Sequence, residues 1–488
     1  MKATLYYVFR LLIILAVFSV NAEQQFSFNF AGKDYFLDQE VLWVKESNGE
    51  QFKVNTRVIT VKPAPHFNSN QFSSYLQQNN LKKLRTASTG YSDIQLPENA
   101  NFKDELLQLE NSGLFSMVEP NTIGRYLLVP NDNQYQSQWY LPKVSAEAVW
   151  DLNTGTSNIV VAVLDSGTEF THSDLGQGND NYNNIWINSG EDAWTDSEDP
   201  STGNNIDDDN NGFIDDWKGW DFDSDDNDGS GGFFHGTAVA GVVAAKTNNN
   251  NGVAGIAGGN NNKGTSIMIG NVGNNAPNGS VLDDAILYAA ANGANIIQLS
   301  LSVGSSQALN DAITEAYNTH GVLIIGAAGN SSASSVGYPS SHPDIMAVGA
   351  SNQNDFKSSF SQYGDKLEIS APGSDIVTTT LNNGYVSTSG TSFSAPLTSG
   401  IASLVMSRHP NLTNEQVRNI LKDSADKVGG YNYDHDISKP GHSLQMGYGR
   451  INAHSAVLLA DLMVVDPSFL FKNGFEAIID LIFENGFE

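Results

Sequence analysis

Three polar residues in the body of the chain could together carry out acyl transfer. Asp165 ends the apolar run "NIVVAVLD", His235 precedes a Gly and an Ala/Val-rich stretch, and Ser392 opens a long apolar run. Taken singly, each has an ordinary structural interpretation: a strand-end carboxylate that closes a turn, a packed histidine, and a helix cap. Taken together, they supply a hydroxyl nucleophile, an imidazole that accepts its proton, and a carboxylate that orients the imidazole.

The elements that must position these residues follow from the apolar pattern. From about residue 140, β-branched runs such as "NIIQLSLS" and "GVLIIGAAGN" alternate with helical stretches such as "LDDAILYAAANGA". Continuous apolar strands separated by helices are typical of a mostly parallel sheet with helices on both faces. The sequence therefore predicts a doubly wound α/β domain, whose functional groups collect at the carboxyl ends of the strands. A helix starting near Ser392 would also direct its first N–H groups toward a developing oxyanion.

Composition limits the partners of the protein. Among 488 residues there are 54 acidic and 25 basic side chains, which give a formal charge of -29. Such a surface repels nucleic acid and anionic membranes and favours hard cations, so nucleic-acid binding is not expected. The chain has no cysteine, which excludes disulfides and thiolate zinc sites.

The N-terminus has the pattern of a secretory signal peptide. Lys2 and Arg10 precede an apolar run from Leu11 to Val20, and Ala22 offers a small residue for cleavage. The alternative is an uncleaved membrane anchor, but the run is shorter than the about 20 residues of a spanning helix. Since no other segment is apolar for long enough, we expect residues 1–22 to be removed from an exported protein without stable membrane insertion.

Three further segments follow. Residues 23–130 alternate strand-like and helix-like stretches, which predicts a small α+β domain, and residues 131–460 form the α/β domain. Residues 461–488 are a tail in which "FKNGFE" recurs as "FENGFE". The repeat is either a sorting or attachment tag, which would place the protein on a surface, or a short hairpin or loose extension.

The motifs around the three residues resemble those of the subtilisin-like serine peptidases. The resemblance rests on Asp165 to Leu175, on His235 to Gly241 and on Gly390 to Pro396. It extends over essentially everything from Gln138 to Ala456. The resemblance implies that Ser392 is the nucleophile, His235 the general base and Asp165 the orienting carboxylate, with Asn330 and the Ser392 N–H as oxyanion donors.

The resemblance also implies a substrate cleft. Its members would pair with the peptide as an added strand or line the pocket for the residue before the cut: Ser300, Leu301, Ser302, Ala327, Ala328, Gly329 and Gly337. Two positions depart from the family pattern. Ser302 replaces a common Gly, which would shrink or polarise the pocket, and Ala238 replaces a packing His, which should leave activity intact.

By the same resemblance, the protein is expected to be a secreted, monomeric serine endopeptidase that acts on proteins or peptides. Residues 23–130 would be a propeptide that assists folding and inhibits the enzyme intramolecularly until cleavage near Val129 to Tyr135. One alternative is a catalytically impaired peptidase fold that serves as a calcium-dependent binding or adhesion module. A second is a serine-carboxyl peptidase, in which Glu replaces the histidine.

An acidic stretch between Asp165 and His235 predicts a structural calcium site. Counted from Asp207, oxygen ligands fall at positions one, three, five and seven, and Gly212 lies at six, as in an EF-hand loop. The predicted ligands are Asp207, Asp209, Asn211 and the Phe213 carbonyl. Lys218 stands at position twelve, so Asp215 or Asp216 would have to close the cage. The alternative is a solvated acidic loop. The family resemblance implies a second candidate site, at Asp174 and the Asn-rich loop after the His helix.

Overall fold

The computed structural model describes residues 27–38, 41–45, 51–98, 100–123, 128–176 and 183–465. These residues fall into two compact units, one within residues 27–123 and the other within residues 128–465. The predicted signal peptide and the repeated NGFE sequence of the tail lie outside the described residues.

The first unit is an antiparallel sheet packed on two helices. Its strands are β1 (Ser27–Phe30), β2 (Lys33–Asp38), β3 (Val41–Lys45), β4 (Gln51–Pro63), β5 (Lys82–Thr86), β6 (Ser92–Gln95) and β7 (Phe115–Ile123). They follow the order β1-β2-β3-β4-β6-β5, and β7 pairs with β4. Helices α1 (Ser69–Gln78) and α2 (Phe102–Asn111) bury Phe72, Leu76, Leu106 and Leu109 in its core.

One helix of this unit is shorter than the sequence predicts. The helical pattern extends over residues 70–84, but α1 ends at Gln78 and Lys82–Thr86 forms β5. Asn80 adopts a φ of 54°, and this left-handed conformation ends the helix and redirects the chain. The α+β character of the unit agrees with the sequence pattern, and its role as a propeptide stays a prediction.

The second unit contains a seven-stranded parallel sheet, which confirms the predicted fold class. Its strands are β8 (Val160–Asp165), β9 (Gly219–Asp221), β10 (Ser266–Asn271), β11 (Ile296–Leu299), β12 (Leu323–Ala327), β13 (Ile345–Ser351) and β14 (Ile369–Pro372). The order is β14-β13-β12-β11-β8-β10-β9. A separate hairpin joins β15 (Ile376–Thr380) to β16 (Gly384–Thr388).

Helices cover both faces of this sheet. They are α3 (Tyr140–Lys143), α4 (Ala146–Trp150), α5 (Phe234–Ala244), α6 (Leu282–Ala291), α7 (Gln307–Asn318), α8 (Thr391–Arg408), α9 (Asn414–Asp423) and α10 (Ala453–Val465). Successive residues of β8 point to opposite faces, so Val161 and Val163 pack in one core with α5 and α8. Val160, Ala162 and Leu164 pack in the other core with α6 and α7.

The ends of three strands define the edge on which the site lies. Asp165 at the end of β8 lies in register with Asn271 of β10, which in turn lies in register with Asp221 of β9. Helices α5 and α8 begin at this edge: Gly236 of α5 lies against Gly167 just after β8, and the Thr391 N–H of α8 donates to Asn330 just after β12.

Candidate active site

The buried Asp165 and the partly buried His235 form a hydrogen-bonded pair. Asp165 is the last residue of β8, and His235 lies in the first turn of α5, with Nδ1 at 2.8 Å from the Asp165 Oδ1. Oδ1 also accepts the backbone N–H of Ser166. Burial of His235 disfavours its charged form, but the charge and hydrogen bond of Asp165 outweigh this effect and raise the pKa of His235.

Ser392 is the second residue of α8, whose N-cap is the extended Gly390. Its hydroxyl donates to the backbone carbonyl of Ser300 at 3.4 Å. Within the part of the chain that the structure describes, no hydrogen bond joins this hydroxyl to His235.

Asn330 is held so that its amide nitrogen is the free end of the side chain. Its Oδ1 accepts hydrogen bonds from the backbone N–H and the hydroxyl of Thr391, at 2.9 and 3.0 Å. Its Nδ2 lies 3.5 Å from the position that a Cβ on Gly390 would occupy, beside the start of α8. Thr391, which the sequence did not single out, therefore fixes the orientation of Asn330 next to the Ser392 N–H.

The predicted substrate-binding residues form two neighbouring segments of the same edge. Leu301 and Ser302 lie beyond the last residue of β11, and their pairing with a peptide as an added strand stays a prediction. The Gly337 N–H donates to the Ala328 carbonyl at 2.9 Å, which closes the second segment. The Ser302 hydroxyl donates to the Tyr338 carbonyl at 3.0 Å and so joins the two segments, and its effect on the pocket stays a prediction.

A cavity of about 270 Å³ opens beside the imidazole. It is lined by Asp165, Phe233, His235, residues 273–277 and residues 300–302. The Gly232 N–H donates to the Asn274 side chain, which joins the two loops that wall it. Ala238 is fully buried in α5 and its carbonyl accepts from Thr378, so this departure from the family pattern is a packing position.

This arrangement agrees with a comparison with known families. The model of the subtilase family, Peptidase S8, matches residues 156–449. The chain belongs to the subtilase family. Its membership confirms the resemblance and the serine-type peptidase class that the sequence predicts.

Several curated relatives of this subtilase are similar over most of its length. "Thermitase" of Thermoactinomyces vulgaris is 33% identical over 333 residues, which are 67% of this chain and 99% of that protein. "Thermophilic serine proteinase" of Bacillus sp. AK1 is 34% identical over 72% of this chain and 74% of its own length. "Halolysin-like extracellular serine protease Nep" of Natrialba magadii is 32% identical over 78% of this chain and 62% of its own.

A solved protease structure from Pseudoalteromonas arctica PAMC 21717 has a TM-score of 0.52 and 26% identity. The match covers 68% of this subtilase and all of that chain. Across the described residues, the helices are too short or too polar to span a bilayer.

The acidic stretch of this subtilase contributes two carboxylates, Asp209 and Asp216, to a compact cluster with Glu191. Glu191, Asp209 and Asp216 each place an oxygen within 4.8 Å of the others. The Glu191 Oε1 accepts the N–H groups of Asp208 and Asp209, whereas its buried Oε2 has no partner among the described residues. Burial, with a smaller contribution from the neighbouring carboxylates, raises the pKa of Glu191 and Asp216. An oxygen set of this kind, with an unpaired buried oxygen, fits a calcium ion.

The cluster shares only part of the ligand set that the sequence predicts. Asp209 and Asp216 belong to it, but the Asp207 carboxylate accepts the N–H groups of Asn211 and Gly212 and so shapes the turn. Asp215 binds the N–H groups of residues 204 and 205. The Asn211 side chain donates to Asp209 and Asp216.

Phe213 packs its ring against Trp220, Phe222 and Tyr288, and its carbonyl as a ligand stays a prediction. Glu191 is the member that sequence reasoning missed. Its signal was a pair of acids, Glu191 and Asp192, in the tryptophan-flanked stretch "IWINSGEDAW".

Lys218, at the position where an EF-hand has a ligand, binds aromatic rings instead. Its Nζ lies 4.8 Å from the ring centre of Phe170, 5.6 Å from Trp194 and 4.9 Å from Trp217. It also donates to the Ser197 carbonyl. This cation–π cage ties residues on both sides of the acidic loop to the core.

Asp174, the second candidate, lies away from this cluster and is fully buried. Its oxygens accept from the Asn249 side chain at 2.8 Å and the Val253 N–H at 2.9 Å, and burial raises the pKa of Asp174 to about 7. Asp132, which the sequence did not single out, accepts the Asn248 N–H of the same loop. A calcium ion at this second place stays a prediction.

Proposed function

We propose that this subtilase is an endopeptidase that cleaves peptide bonds through Asp165, His235 and Ser392. The observation that carries the proposal is the 2.8 Å hydrogen bond between the Asp165 carboxylate and the His235 Nδ1. It fixes the tautomer that leaves Nε2 as a base. The place of Ser392 in the first turn of α8 supports its role as the nucleophile.

The proposed reaction has two halves. Ser392 Oγ attacks the carbonyl carbon of the peptide while its proton passes to His235 Nε2. The resulting oxyanion accepts hydrogen bonds from the Asn330 Nδ2 and the Ser392 N–H. The imidazolium then gives the proton to the leaving amine as the C–N bond breaks. Water attacks the acyl-enzyme by the same steps, which releases the acid and restores the Ser392 hydroxyl.

The test is the Ser392→Ala variant, assayed for propeptide cleavage and for casein hydrolysis. The kcat should fall about 10⁶-fold, which is the loss known for the nucleophile of subtilisin itself. Ser394→Ala is the matched control, because Ser394 is buried in the same turn and donates to the carbonyls of Ala371 and Pro372. If Ser392→Ala cleaves as fast as the parent, the proposed mechanism is wrong.

The same proposal includes export and maturation. The extracellular relative and the N-terminal pattern support secretion. Within the predicted maturation region, Val129 is 53% exposed, whereas Tyr135 is buried and its hydroxyl donates to Glu147. Cleavage on the exposed side, near Val129, would leave the contacts of Tyr135 intact. N-terminal sequencing of the secreted enzyme locates the bond, and a mature N-terminus beyond Tyr135 would contradict this part.

The proposal also includes a structural calcium ion. Glu191, Asp209 and Asp216 would hold it, and the ion would supply the positive charge that balances three close carboxylates. Because the loop lies between Asp165 and His235 in the chain, its ordering protects a segment next to the site from self-cleavage. The alternative, a catalytically impaired calcium-dependent binding module, requires a broken triad, and every triad position here is filled.

A further inference from the structure

Gln298 is a buried amide in an otherwise apolar strand. It lies in β11, between Ile297 and Leu299, and its side chain is fully enclosed. Its Oε1 accepts the hydroxyl of Ser399 at 2.6 Å, and its Nε2 donates to the Ser300 Oγ at 2.8 Å. The amide therefore joins the middle of α8 to the residue that follows β11.

The chain of hydrogen bonds ends on the backbone of the nucleophile. The Ser300 hydroxyl donates to the Ser392 carbonyl at 2.7 Å. This carbonyl would normally accept the N–H of residue 396, but that residue is Pro396, which has no N–H. Ser300 therefore replaces the missing helical donor in the turn that presents the Ser392 hydroxyl.

The direction of each hydrogen bond depends on Gln298. Because the Ser399 hydroxyl donates to Oε1, the amide must present its NH₂ group to Ser300. Because the Ser300 Oγ accepts that N–H, its own proton is directed to the Ser392 carbonyl. Buried bonds aligned in one direction strengthen one another, so the loss of the middle member weakens both ends.

We propose that Gln298 is a positioning residue for the nucleophile Ser392. It touches neither the substrate nor the reacting atoms and acts through Ser300. The inference rests on the proposed function, since it concerns the alignment of the same Ser392. A purely structural role would affect folding stability, whereas a positioning role changes the reactivity of the Ser392 hydroxyl at unchanged substrate binding.

The test uses Gln298→Met in the full-length chain, with kcat, KM, melting temperature and the rate of Ser392 labelling by a fluorophosphonate. Met keeps the length of the side chain but removes both hydrogen bonds. We expect kcat and the labelling rate to fall about tenfold, with KM within twofold of the parent.

A pair of matched serines on α8 provides a second test. It tests the positioning role of Gln298 even if Gln298→Met does not fold. Ser399 and Ser403 are both fully buried one turn apart, but Ser403 bonds to Thr265 and Gly400 instead of Gln298. Ser399→Ala should lower kcat and labelling about threefold. Ser403→Ala should leave kcat and the labelling rate unchanged, even if its melting temperature falls as much as that of Ser399→Ala.

Two outcomes would overturn the proposal: a Gln298→Met variant labelled within twofold of the parent rate, or a Ser403→Ala variant that loses as much kcat as Ser399→Ala. Failure of the proposed function looks different. It would appear as a parent enzyme that does not react with the fluorophosphonate at Ser392, or as an active Ser392→Ala variant.

Discussion

Two regions of the second unit contain carboxylates, and the negative charge of these carboxylates is balanced differently in each region. Asp165 faces the imidazole of His235, which bonds the Asp165 Oδ1, while the buried Asp165 Oδ2 has no partner among the described residues. Glu191, Asp209 and Asp216 face one another, and one Glu191 oxygen has no partner among the described residues. The charge of Asp165 is therefore met by an imidazole of the chain, whereas the charge of the three clustered carboxylates would be met by the proposed calcium ion. Variants of the first should change rate, and variants of the second should change stability.

The largest expected effect is that of Asp165→Asn, which would leave His235 in the wrong tautomer. We expect kcat to fall about 10⁴-fold, the magnitude known for the same loss in other serine proteases, including subtilisin. The melting temperature should stay within a few degrees of the parent, since the size of the side chain is kept.

Asp221→Asn is the matched control for Asp165→Asn. Asp221 is also a buried strand-end carboxylate on the same edge, bonded to Asn271 instead of a histidine. Its variant should keep the parent kcat. Equal losses of kcat in the two variants would contradict the specific role of Asp165, because the loss would then follow from the removal of any buried strand-end carboxylate.

Asn330→Leu should have the next largest effect. The substitution removes the amide donor, and loss of this donor in subtilisin costs about 10² to 10³ in kcat, which is again the family's own figure. KM should change little, because the donor acts on the oxyanion. Ser331→Ala, at the neighbouring exposed position, is the control. A KM increase that accounts for the whole loss would place Asn330 in substrate binding instead.

The pH dependence of kcat/KM should report the pKa of His235. Activity needs the neutral imidazole, so kcat/KM should rise about tenfold per pH unit until the pKa of His235 is passed. Because Asp165 raises that pKa, the midpoint should lie above the ordinary histidine value of 6.5. A midpoint at or below the ordinary value would mean that burial outweighs Asp165. Glu191→Gln should leave the midpoint where it is.

The smallest effect on rate and a clear effect on stability are expected for Glu191→Gln. A ligand at a hundredfold excess over its Kd stabilises a protein by about 2.7 kcal/mol, which corresponds to about 4 °C for a unit of this size. The variant in calcium should melt lower by that amount, with kcat at 25 °C within twofold of the parent. Asp192→Asn, one residue away and exposed, is the control. If EDTA leaves the melting temperature of the parent unchanged, the proposed calcium site is wrong.

The parts of the site that follow strands could be predicted from the sequence. Asp165 and the segments after β11 and β12 come directly after buried apolar runs, and the parallel sheet brings such ends to one edge. His235 and Ser392 lie in local motifs at the starts of helices, so their placement needs only the fold class.

The parts that depend on pairing between distant loops could not be predicted. Glu191 reaches the acidic loop because the Asn188 N–H donates to the Trp217 carbonyl, a contact that no spacing rule encodes. The choice between Asp215 and Asp216 depends on a left-handed φ of 57° at Asp215, which turns the two side chains apart. Gln298 was visible as a lone amide in an apolar strand, but its partners lie on another helix.

The aromatic cage around Lys218 has a consequence for how the enzyme is cleaved after it loses calcium. The cage holds the flanks of the acidic loop by a cation that the chain itself supplies, so removal of calcium would not release those flanks. A chelated enzyme should therefore be nicked inside residues 204–214 while the two ends remain docked. The two fragments would stay associated after such a nick, so cleavage of the first peptide bond would precede unfolding of the enzyme.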